Sequence, residues 1–216
     1  MKDVEKGREK ALMKRTMLLT SSGLSGSLTD IFMRRCGKKP DELRILLVPT
    51  AGIETDGARE GLAICLNAFA KMGIRSENVL IYNLELLLSK GYQRTYSAFV
   101  EKPAMVSRLL TPEEAKSFDA VFVSGGDTNV LCREMRRTGF DEVLKAAVNA
   151  GLVYVGISAG SMFAAGNMNE GMHFIPNSIV PHWAGDRMTE LPENDTDILL
   201  SDGQAVYIED DRVSLA

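Results

Sequence analysis

Cysteine is scarce in this chain of 216 residues, and the three present, Cys36, Cys65 and Cys132, form no CxxC pair. Their scatter excludes a disulfide framework and a zinc site of the usual spacing. It suits a reducing compartment, and a cytoplasmic location is expected. Long apolar runs are missing as well: none approaches the ~18–20 residues of a membrane-spanning helix. Met1 to Arg15 (MKDVEKGREKALMKR) lacks the apolar segment of a secretory signal. There is no excess of positive charge either. With a net charge of −4, the molecule has no electrostatic reason to gather on nucleic acid or an anionic membrane. Histidine occurs only twice, as His173 and His182, which leaves few candidates for a catalytic base.

What remains is an ordinary globular composition, 45% hydrophobic and 25% charged. A chain of this size buries roughly 70% of its unfolded surface and needs no disulfide or structural metal to hold a core. Residues 1–15 read as a charged N-terminal helix or tail, and residues 16–216 as one α/β domain. Short apolar runs at 16–20, 44–49, 79–82, 120–123 and 152–157 have the length and continuity of strands buried on both faces. Helical patterns occupy 57–72, 128–137 and 141–150, the last closing at Gly151. This alternation predicts βαβ units, hence a three-layer sandwich with a mostly parallel sheet and helices on both faces. From Gly166 to Asp202 periodicity fades, and loops or short elements over the sheet edge are expected. Gln204–Ile208 and Arg212–Leu215 then read as a hairpin turning at Asp210-Asp211.

Ligands of open α/β sheets bind at the carboxyl ends of the strands, and there the sequence is most specific. The run Leu152 to Ala165, LVYVGISAGSMFAA, is a buried strand passing through Gly156-Ile157-Ser158-Ala159-Gly160 into a small-residue helix. This is the GxSxG elbow in its meaningful context: a strained strand-to-helix turn exposes the serine hydroxyl beside helix N–H groups that favour a developing anion. The alternative is a glycine-rich turn that happens to hold Ser158. Ser161, inside the helix, reads as packed or bonded to backbone.

A second strand ends in Ser124-Gly125-Gly126-Asp127-Thr128. The glycine pair would let backbone approach a substrate, and an N–H from this turn would join that of Ala159 in an oxyanion hole. The competing reading is a tight turn with Asp127 or Thr128 capping the next helix. His182, fixed by Pro181 after the pair Ile179-Val180, is the favoured base over His173, which reads as a core or edge histidine satisfied by backbone. Between Ser158 and His182 the only acid is Glu170, so the Ser…Asp…His order of α/β-hydrolases fits poorly. Downstream, Asp202 stands between the Ile198-Leu199-Leu200 run and Gly203, where a strand-end acid belongs.

Taken in order, SGGDTNVL, YVGISAGS, IVPHW and LLSDGQAVYIED resemble the peptidase E (aspartyl dipeptidase) and cyanophycinase family of serine peptidases, over most of the chain from about Thr16. The resemblance implies a fold related to the class I glutamine amidotransferases, with serine replacing their cysteine. It makes Ser158 the nucleophile, His182 the base and Asp202 the third member, a position that is glutamate in peptidase E. The oxyanion donors would be Gly126, or Gly125, with Ala159. No metal or organic cofactor is expected, and the partner would be a small peptide substrate of a monomer or homodimer. Gly125 and Asp127 are candidate substrate-binding residues. So is Arg187 in AGDRMTELPEN, because peptidase E reads an N-terminal aspartate with an arginine after its histidine; an exposed surface arginine is the alternative. The stretch between Ser158 and His182 is shorter than in peptidase E. Two further readings stay open, an amidase or esterase acting on a metabolite and a catalytically impaired member that binds a ligand.

Overall fold

The computed structural model describes residues 15–52, 56–92, 108–193 and 196–216, without the side chains of 56–59. The expected tail over 1–15 therefore lies outside the described residues except for Arg15, whose guanidinium and N–H bind Asp210.

The apolar runs form strands, as their continuity predicts. β1 (Thr16–Thr20), β2 (Ile45–Val48), β3 (Val79–Ile81), β4 (Ala120–Val123) and β5 (Val153–Ile157) lie parallel in the order β3-β2-β4-β5-β1. The hairpin of β8 (Ala205–Glu209) and β9 (Arg212–Leu215) adds two antiparallel strands beside β1, completing a seven-stranded sheet. Asp210 turns it with a positive φ of 55°.

Period-two alternation sends each strand's side chains into two cores. Leu18, Ile45, Leu47, Phe122 and Val155 face α1 (Ser27–Cys36) and α2 (Asp56–Met72), where Phe122 meets Phe32 and Phe69 edge-on at 5.3 and 4.7 Å. Met17, Leu19, Leu46, Val121 and Tyr154 face the opposite layer. That layer holds α3 (Pro112–Lys116), α4 (Thr128–Thr138), α5 (Phe140–Asn149) and α6 (Ala159–Ala164). The three-layer arrangement matches the expectation from sequence. The helices α1 and α3 are additions to it. The first buries Leu28 and Phe32, one turn apart, and stops at left-handed Gly37, whose N–H caps the Met33 carbonyl.

The segment expected to hold short elements contains a second, two-stranded parallel sheet of β6 (Ile179–Val180) and β7 (Ile198–Leu199). Its ladder runs on past the strands: Leu200 N–H donates to the Val180 carbonyl and Trp183 N–H to the Leu200 carbonyl. The chain leaving β6 and the chain leaving β7 are thus held side by side, and they carry His182 and Asp202. Among the described residues no helix is long and apolar enough to cross a membrane.

Candidate active site

The turn after β5 places Ser158 at φ 48° and ψ −104°, a conformation L-residues avoid at a cost of about 1–3 kcal/mol. Close packing enforces it. A Cβ on Gly156 would sit 2.8 Å from Gly160, and one on Gly160 would sit 2.2 Å from the Val123 carbonyl oxygen, so the helix starts hard against the strands. Ser158 N–H donates to the Thr20 carbonyl at 3.0 Å, tying the turn to the end of β1. Ser161 is fully buried and donates to the same carbonyl at 2.8 Å, as its place inside the helix suggested.

Beside this turn, Gly126 has φ 136°, and a Cβ there would lie 2.1 Å from the Ala51 carbonyl oxygen. Only glycine fits. Asp127 follows with its N–H on Ala51 and its Oδ1 accepting from the N–H groups of Asn129 and Val130 at 2.7 and 3.3 Å. The structure therefore gives Asp127 the work of capping α4. Among the described residues, the N–H groups of Gly126 and Ala159 have no protein acceptor.

His182 adopts a left-handed φ of 57°. Its Nδ1 lies 2.9 Å from Asp202 Oδ1; with the proton on Nδ1 to serve that carboxylate, Nε2 is left as an acceptor. The side chains of both residues are more than half exposed. Asp202 is nevertheless well held, since its Oδ1 also accepts from Ser21 Oγ at 2.8 Å. Chiefly that hydroxyl, and next the His182 ring, keeps the Asp202 carboxyl below the usual aspartate value. Ionised, it can orient and stabilise a protonated imidazole.

Ser158 and His182 line a single cleft of about 360 Å³ with Gly125, Gly126, Ser124 and Ser22; its far wall is Gly61, Ile64 and Cys65 of α2, with Ile157 alongside. Burial pushes the Cys65 thiol up, which disfavours its reactive thiolate form. Among the described residues no hydrogen bond joins Ser158 Oγ to the His182 ring, although both line the cleft. Arg187 lies apart from the lining, with Nη2 donating to the Gly203 carbonyl at 3.2 Å. His173 pairs through Nε2 with the Asn169 carbonyl at 3.2 Å, the backbone-satisfied role read from its sequence context.

Sequence reasoning missed Ser21, Ser22 and the α2 wall. The signal available for the serines was position: Ser21-Ser22 directly follows the first parallel strand, at the edge where ligands bind.

The model of peptidase family S51 matches residues 102–216. Peptidase E of Streptomyces coelicolor is 34% identical to the chain over a segment covering 45% of this chain and 51% of that protein. An uncharacterized peptidase of Pasteurella multocida is 33% identical over 34% of this chain and 39% of its own length. The chain thus spans about half the length of the first of these relatives and less of the second. A crystal structure of a peptidase from an acI-B1 Actinobacterium superposes with a TM-score of 0.59 at 16% identity, covering 91% of this chain and 84% of that one. That last likeness is one of fold, the class I glutamine amidotransferase-like α/β sandwich.

Proposed function

Because the chain belongs to peptidase family S51, we propose that it is a serine-type hydrolase cleaving dipeptides or small peptide-like amides with Ser158, His182 and Asp202. The observation that carries this reading is the meeting, in one cleft, of a serine on a strained elbow and a histidine whose Nδ1 faces a carboxylate.

In the reaction, Ser158 Oγ attacks the scissile carbonyl while its proton passes to His182 Nε2. Asp202 holds the ring and offsets the imidazolium charge. The carbonyl oxygen, now an anion, accepts from the N–H groups of Gly126 and Ala159; losing one such donor typically costs about 10²–10³ in turnover. The intermediate collapses as His182 returns the proton to the leaving amine. Water, deprotonated by His182 in turn, then releases the acid and restores the serine.

A cleft of about 360 Å³ has room for a short peptide or peptide-like amide. A preference for N-terminal aspartate has less support, since Arg187 sits on the Gly203 carbonyl and the described lining of the cleft holds no lysine or arginine. Fluorophosphonate labelling with mass spectrometry tests the reading. An adduct on Ser158, absent from Ser158→Ala, is expected, followed by turnover of Asp-X, Ala-X or Leu-X dipeptides; a folded protein that takes no adduct would instead be a ligand-binding member of the fold.

A further inference from the structure

Resting on the reading of Ser158, His182 and Asp202 as a triad, we propose that Ser21 is a positioning residue, the buried clamp that aligns the acid with the base. Its side chain has no solvent exposure. Its hydroxyl donates to Asp202 Oδ1 at 2.8 Å and accepts from the His182 backbone N–H at 2.7 Å. The same oxygen Oδ1 receives His182 Nδ1 at 2.9 Å, so Ser21, Asp202 and His182 close a three-membered ring of hydrogen bonds.

The need for such a clamp follows from exposure. The Asp202 side chain is 64% exposed and that of His182 54%, and a carboxylate so open to water is free to rotate and to trade the imidazole for solvent. A donor fixed in the protein interior removes that freedom for one oxygen, the one facing the ring. The backbone bond to His182 fixes the other partner, in a left-handed conformation that is uncommon outside glycine.

Neighbouring residues extend the role. Ser22 Oγ accepts from Gly203 N–H at 3.3 Å, fixing the residue after the acid, and the Thr20 carbonyl receives the N–H of the nucleophile Ser158. One tripeptide at the end of β1 thereby meets all three catalytic positions. A buried serine serving only loop stability would predict a different pattern of coupling, and this separates the two.

The test is a double-mutant cycle on the rate at which a fluorophosphonate modifies Ser158. Ser21→Ala is expected to slow labelling about 10–100-fold, the scale of a displaced catalytic group. Asp202→Asn should slow it at least as much. The double variant should lose less than the two single losses combined, because Ser21 and Asp202 hold the same imidazole. Additive losses in the cycle, or a Ser21→Ala variant labelled at the parent rate, would overturn the proposal while leaving Ser158 as nucleophile. A folded parent with no adduct would overturn the triad reading and the clamp together. Should Ser21→Ala not fold, Ser21→Cys, similar in volume but a weaker donor and acceptor, enters the same cycle with the same expectation of non-additivity.

Discussion

Ser158 stores strain that the rest of the chain sustains. A residue at φ 48° and ψ −104° persists only because Gly156, Gly160 and the Thr20 carbonyl leave the turn no other course. Removing its hydroxyl therefore changes chemistry and not architecture: Ser158→Ala is expected to abolish hydrolysis with a thermal midpoint close to that of the parent. A large fall in the midpoint would mark the serine as structural. Asp202 differs in its demands. Its carboxyl titrates below the ordinary value of 3.8 when folded, so its contribution to stability is complete above that value and fades as pH falls through the lowered one. Asp202 thus stays charged at neutral pH.

The elements deliver these residues with little slack. β6 and β7 contribute two residues each, yet their parallel register, Val180 beside Leu199, decides which acid faces His182. The elbow is equally determined. Gly160→Ala would drive a methyl into the Val123 carbonyl, and an overpacked site of this kind costs about 2 kcal/mol, a fall of about 4–8 °C in the thermal midpoint at this chain length. An unchanged midpoint would show that α6 can move away from β4. Much of this was legible in the sequence because it is local: an apolar run into GxSxG specifies a strand, a turn and a helix, and Asp127 carried its capping role in its position. The helix α1 was less visible, because only Leu28 and Phe32 mark its buried face among charged neighbours. Least visible were the pairing of β6 with β7 and the clamp at Ser21, whose partner Asp202 stands 181 residues away. No periodicity encodes a contact of that kind.

Across the whole molecule, the site lies where the carboxyl ends of β1, β4 and β5 converge, near the middle of the sheet. These strands are flanked on both sides, whereas β9 is an edge with Arg212, Val213 and Ser214 exposed. Native-state hydrogen exchange should accordingly find β1, β4 and β5 among the slowest amides and β9 among the fastest; slow exchange in β9 would show that another surface covers this edge. The neighbour of β1 on its other side is β8, so strands from opposite ends of the described chain lie together. During synthesis, residues emerge in order and fold as they leave the ribosome. A nascent chain whose residues 202–216 are still inside the exit tunnel already displays its serine and its histidine, yet has neither Asp202 nor the strand that flanks the Ser21 clamp. The ring of hydrogen bonds joining Ser21, His182 and Asp202 therefore closes only once residue 202 has left the ribosome.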